Sequence, residues 1–188
     1  MRRTYLTILL IFASWIASSG ASGVAHADQT DPSLEALFTE LRDGSVLDAN
    51  DTTARIIEIW SVPANAVSAV LYERAEAALY AEDLELATTL AGHMIGISPS
   101  FAQGWVMKGA IDQASGRLEN ALIAFEKALL LEPRHFVARV TLADILVASG
   151  KPRAAFETYQ EALKWNPHLP RAREQAAKLR RQLGGQEI

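Results

Sequence analysis

Across residues 33–42, SLEALFTELR, apolar side chains fall at Leu34, Leu37, Phe38 and Leu41, the spacing of one face of an α-helix. A second run, Ile56, Ile57, Ile59 and Trp60, marks another helix over 52–62, and the polar stretch DGSVLDAND between them reads as a loop. From Ser68 the pattern becomes regular. Three consecutive stretches, 68–101, 102–135 and 136–169, each carry two helix-period segments, such as Trp105 to Ala114 and Leu118 to Leu131, parted by a short turn (Ser115-Gly116-Arg117). Glycine stops the first helix of a pair, and Pro99, Pro133 and Pro167 end the second by disfavouring helical geometry in the residue before them. The closing segment PRAREQAAKLRRQL places Ala172, Ala176 and Leu179 on a narrow apolar stripe among arginines, predicting a last helix with a frayed tail from Gly184 to Ile188.

The stretches are related at an interval of 34 residues. AFEKALLLEPR at 124–134 and TYQEALKWNPH at 158–168 share an aromatic (Phe125, Tyr159), an alanine (Ala128, Ala162), a leucine (Leu129, Leu163) and a proline (Pro133, Pro167), while their charges differ. Alanines also recur at Ala87, Ala121 and Ala155. Ala121, Phe125 and Ala128 share one helix face, where the small residues let backbones approach and the aromatic fills the space beside them. Positions that touch a neighbouring pair repeat; exposed ones drift.

These residues resemble the tetratricopeptide repeat family, whose 34-residue unit reads W-x2-L-G-x2-Y, then A-x3-F, then P. Trp105, Gly109, Gly116, Ala121, Phe125, Ala128 and Pro133 carry the likeness in the middle unit, and Leu142, Ala143, Gly150, Ala155, Tyr159, Ala162 and Pro167 in the next. The resemblance implies an all-α, right-handed superhelical solenoid with helical caps at both ends: a degenerate helix pair within 28–67 capping the first unit, three units at 68–101, 102–135 and 136–169, and a basic capping helix in 170–188. Lys108 and Asp112 stand where the family has Leu and Tyr, which predicts a loosely packed or exposed first helix in the middle unit. Ala91 and Met94 replace the aromatic and the alanine in the first unit, which predicts a slacker stacking contact there.

In this family the first helices of successive units line a concave groove that binds peptides. The resemblance places Tyr72, Glu76, Tyr80, Val106, Ala110, Gln113, Val140, Asp144 and Val147 there, an apolar and aromatic floor with acidic points. Such a floor suits an amphipathic helix or an extended peptide with basic edges. Some family members clamp a peptide's terminal carboxylate with cations on these helices. None of Tyr72, Val106, Val140, Glu76, Ala110 and Asp144 is a cation, which disfavours that mode.

The first residues, MRRTYLTILLIFASWIASSGASGVAHADQ, follow the charged, apolar, small-residue order of a secretory signal peptide with cleavage expected after Ala27. The expected destination is outside the cytoplasm, most simply a bacterial periplasm, with no stable membrane insertion once residues 1–27 are removed. The chain has no cysteine, so stability rests on packing. Residues 28–150 hold 8 Lys/Arg against 18 Asp/Glu, and residues 151–188 hold 8 against 4. An acidic body gives no electrostatic footprint for nucleic acid, but a basic tail on it allows self-association, the alternative to groove binding.

Catalytic signatures are missing: there is no phosphate loop, dinucleotide fingerprint, nucleophile elbow or HExxH helix. His26, His93, His135 and His168 form no local metal cluster, and His135 and His168 read as exposed turn residues beside the repeat prolines. Asp48-Ala49-Asn50-Asp51-Thr52 begins like a calcium loop, but Thr53 and Ile59 occupy the glycine and terminal carboxylate positions, so Asn50 or Asp51 reads as a helix cap. Glu82, Asp83 and Glu85 read as solvated turn carboxylates. The expectation is a non-catalytic scaffold or adaptor without cofactor or metal, binding a protein or peptide ligand.

Overall fold

A computed structural model describes residues 29–44 and 46–184. The expected signal peptide and residues 185–188 lie outside them. The described chain is an all-α helical-repeat solenoid. Its helices are α1 (Ser33–Asp43), α2 (Val46–Trp60), α3 (Ala66–Tyr80), α4 (Leu84–Ile97), α5 (Ala102–Ala114), α6 (Leu118–Leu131), α7 (Phe136–Ala148), α8 (Pro152–Trp165) and α9 (Pro170–Gly184). The second helices of the three units, α4, α6 and α8, are 14 residues each and begin at Leu84, Leu118 and Pro152, so the 34-residue interval survives intact in three dimensions.

Local chemistry sets these boundaries. Asn65 caps α3 by accepting from the Val67 and Ser68 amides, and Asp83 caps α4 by accepting from Leu86 N–H, so Asp83 is a cap and not merely a solvated carboxylate. The turn between paired helices needs one left-handed residue. Gly116 and Gly150 supply it with φ of 74° and 68°, and in the first unit Glu82 takes the same position at φ 58°.

Packing follows the repeat. Ala87, Ala121 and Ala155 are fully buried, and a methyl at Gly109 would come within 2.9 Å of the Phe125 ring, so ring and glycine are cut to one another. The first unit is not slack: Ala91 and Met94 are both fully buried. Gly104 faces Met94, and a Cβ there would meet Met94 Cε at 3.2 Å, whereas the next unit has Ala138 opposite Ala128. Bulk has moved across the contact without leaving a gap.

The middle unit also departs from expectation. Asp112 is fully buried, held by Lys108 from one turn earlier and by Arg117, whose Nη2 lies 2.8 Å from the carboxylate. Arg117 continues to Thr88 Oγ1 at 3.0 Å, tying α4 to the turn after α5. The polar residues that suggested looseness form a paired cluster at a unit junction.

At the N-terminus, DGSVLDAND is mostly helix. Ala49, Thr52, Ile56 and Trp60 make one buried stripe on α2, so Asn50 and Asp51 sit inside the helix and cap nothing. Burial of that stripe overrides the weak helix preference of Asp and Asn. The α1–α2 hairpin was expected to cap the first unit, but its core is completed by Phe136, with Val137, Trp165 and Leu169 packed against it, all from the third unit or the turn after it. At the open front of α3, Val67 and Val70 remain 56% and 53% exposed, whereas Phe101 and Ala138, at corresponding positions in later units, are buried.

Candidate protein-binding surface

The first helices of the three units, α3, α5 and α7, carry the residues named for the groove, and the structure divides them. Tyr72 is buried in the core shared by α3, α4 and α5, and Val106 is buried beside Ala121, Phe125 and Ala138. Val140 is half-buried against the cluster around Tyr159. Asp144 accepts the Tyr159 hydroxyl and lies 2.8 Å from Arg171 Nη2 of α9. Burial and this carboxylate hold the Tyr159 phenol above its ordinary range. Ala110 is half-buried, whereas Glu76, Tyr80, Gln113 and Val147 are exposed, Tyr80 at 89% and Val147 at 39%.

A second set of residues organises the N-terminal ends of the same helices. Gln103 of α5 donates to Tyr72 Oη at 3.0 Å and accepts at Oε1 from His135 Nε2 at 2.8 Å, a polar ladder from α3 through α5 to the N-cap of α7. His135 Nδ1 accepts from the Ala138 amide at 3.3 Å and so caps α7, which fixes the neutral tautomer with its proton on Nε2. His135 is therefore a buried core residue, where the sequence suggested an exposed one. Burial in this setting pulls its pKa down to about 3. Burial also pushes the Tyr72 phenol up, against the hydrogen bonds from Gln103 and Ser61.

The α1–α2 hairpin lies over this ladder. Trp60 stacks on the His135 ring with centroids 4.1 Å apart, and Phe38 makes edge contacts with Phe136 and Trp165 at 6.4 and 5.9 Å. Polar contacts rim the patch. Arg134 grips the buried Glu132 with both ends of its guanidinium, at 2.9 and 2.7 Å, and sits 4.9 Å from the centre of the Phe38 ring. Asn166 donates to Thr53 Oγ1 at 3.0 Å, and Gln29 meets the Ser100 carbonyl and the Ala102 amide. One end of the three-helix surface is thus occupied by the chain's own N-terminal helices, and the stripe from Glu76 and Tyr80 to Val147 faces solvent.

Gln103, His135, Phe136 and Trp165 were not among the groove residues named from sequence. The readable signal was position: Gln103 lies one turn before Val106, at the start of the same helix. Its partners are some thirty residues away in either direction and appear only when the units stack.

Among the described residues no group of three or more His, Cys, Asp or Glu side chains could hold a metal ion, and no helix is long and apolar enough to cross a membrane.

The comparisons agree on the repeat. A tetratricopeptide repeat family model matches residues 113–183. A TPR repeat-containing protein of Rhizobium etli is 26% identical over 153 residues, covering 81% of this chain and 75% of the relative. Among solved structures, the Arabidopsis OM64 TPR domain superposes with a TM-score of 0.59 at 18% identity, over 62% of this chain and 96% of that domain. The TPR2B domain of yeast Sti1, in a complex with pHsp70, gives 0.58 at 17% identity, over 63% of this chain and 99% of that one. With the 34-residue register running through three helix pairs, these matches show a tetratricopeptide repeat segment at residues 113–183 in a chain with the helical-repeat fold of such proteins.

Proposed function

We propose that this protein is a non-catalytic scaffold that holds a protein or peptide segment on the surface formed by α3, α5 and α7, and that it does so in the periplasm after loss of residues 1–27. The observation that carries the reading is the exposed stripe itself. An almost fully exposed Tyr80, an exposed aliphatic Val147 and an acidic Glu76 stand on the first helices of a repeat array, where an aromatic, an aliphatic and a charged group are available to a partner. The acidic point favours a segment with basic edges.

Tyr80→Asp with Val147→Asp tests it. Both side chains are exposed, so helix content and melting temperature should stay unchanged while a photo-crosslinker at Gln113 loses the adduct it forms in cells with the unaltered chain. An adduct that persists undiminished refutes the reading. Charging Val106 would not serve as a test, because Val106 is core and its loss would disturb the fold.

A second reading, self-association, draws on the exposed cations of α9, including Arg173, Lys178 and Arg181, opposite the acidic, valine-bearing front of α3. Light scattering across a salt series tests it. A monomer at low salt, unchanged by Arg173→Glu with Arg181→Glu, removes it.

A further inference from the structure

The α1–α2 hairpin occupies its site in the manner of a ligand. Its apolar face, Leu34, Leu37, Phe38, Leu41, Ile56 and Trp60, is closed by Phe136, Val137, Trp165 and Leu169, which lie far along the chain. The hydrogen bonds that fasten it span 113 residues at Asn166–Thr53 and 99 at Arg134–Glu35. Its own sequence cannot serve as a regular repeat stacked on α3: Leu41 and Trp60 fall where the later units have Ala75, Gly109 and Ala143, and Met94, Ala128 and Ala162. Side chains of that size keep two helices from the close approach seen between the other units. The seat is also imperfect. Trp60 Nε1 is buried with no hydrogen-bond acceptor among the described residues, which costs the docked state the desolvation of an indole N–H.

We infer that the surface beneath the hairpin is an interaction site for an amphipathic helix bearing a large aromatic anchor, and that the α1–α2 hairpin is its resident, displaceable occupant. The inference rests on the reading of the α3–α5–α7 surface as a binding face, and adds which partner that face selects and what regulates it. The anchor stacks on His135, where the Gln103–Tyr72 ladder fixes the imidazole plane, and the flanking apolar residues fall on Phe136 and Trp165. The guanidinium of Arg134, 21% exposed, stands at the rim and already reaches Glu35 of α1 at 3.5 Å, so an acidic residue one turn from the incoming helix's apolar face is favoured. A partner that also offers an acceptor to its own anchor's N–H gains what Trp60 lacks. Displacement leaves the three units standing, because their stacking uses the separate clusters around Met94, Phe125 and Tyr159.

The test uses the full chain and a synthetic peptide of residues 31–62 as the probe, with fluorescence anisotropy as the readout. Trp60→Ala in the protein loosens the resident hairpin without touching the site, and Phe38→Ala does the same from α1. Both variants should bind the peptide at least tenfold more tightly than the unaltered protein. Adding Phe136→Ala to either should remove that gain, as should Trp60→Ala in the peptide. Circular dichroism identifies any variant that has lost its helices, and the other opening variant then decides. Equal affinity of the unaltered and opened proteins, absence of binding to both opened proteins at submillimolar concentration, or indifference to Phe136→Ala overturns the inference. These outcomes are independent of the Tyr80 and Val147 stripe, so failure here and failure of the scaffold reading are separately visible.

Discussion

Acid should destabilise this protein through a single imidazole. His135 is neutral in the folded state, its Nδ1 bound to the Ala138 amide at a helix N-terminus and its face covered by Trp60. Protonation would remove the acceptor that caps α7 and place a cation against the positive end of that helix. The folded pKa is depressed to about 3 from 6.5, so the unfolded chain takes up a proton at a pH where the native chain does not. The contribution is therefore complete above pH 6.5, is lost progressively as pH falls, and is exhausted at the folded pKa. Between pH 7 and pH 5 the linkage relation gives a loss of about 2 kcal/mol, which avoids the range where carboxylates titrate. The assay is urea unfolding at half-unit pH steps, comparing the unaltered protein with His135→Asn, a residue that keeps the cap but does not titrate. The expected result is that the stability difference between the two changes by about 2 kcal/mol over this interval, with the unaltered protein losing more. Parallel profiles would refute the reasoning and mean that His135 is solvated or free to leave its seat.

Two further outcomes follow from the unit junctions. Asp112→Asn should cost about 2 kcal/mol in urea unfolding, because it removes charge-assisted bonds to Lys108 and Arg117 at a fully buried carboxylate, and no measurable loss would show the cluster to be solvated. Glu82→Gly should stabilise by about 1 kcal/mol, since Glu82 holds the left-handed conformation that Gly116 and Gly150 occupy in the other units, and a lower melting temperature would mean that the glutamate side chain makes a contact worth more than the backbone relief.

The repeating part of the chain was legible because its determinants are local. Ala121, Phe125 and Pro133 act on neighbours within one or two helices, and the same residues return at the same interval. What escaped depends on distant pairings. The stripe of Leu34, Leu37, Phe38 and Leu41 announces a buried face but not its partner, which is Phe136 a hundred residues on. Polar residues misled in proportion to their burial. Asp112 suggested exposure although both of its cations lie within five residues, and His135 suggested a surface turn because its partners Trp60 and Gln103 lie 75 and 32 residues earlier in the chain. The groove positions were placed by analogy with the repeat, which gives the helix face but not what else folds over it, so Tyr72 and Val106 are in the core while Tyr80 and Gln113 are open.

The long reach of the hairpin changes how this solenoid is made. A repeat array ordinarily joins only adjacent units, so it can assemble from one end as it is synthesised. Here Thr53 meets Asn166, 113 residues later, and at translation rates of about 5–20 residues per second the hairpin emerges roughly 6–23 seconds before its seat exists. For that interval Phe38 and Trp60 belong to an unsatisfied apolar surface at the leading end of the nascent chain. Its docking has to wait for the third unit, and it fastens the first-made helices to that unit, so a nearest-neighbour stack carries one contact between parts distant in the chain.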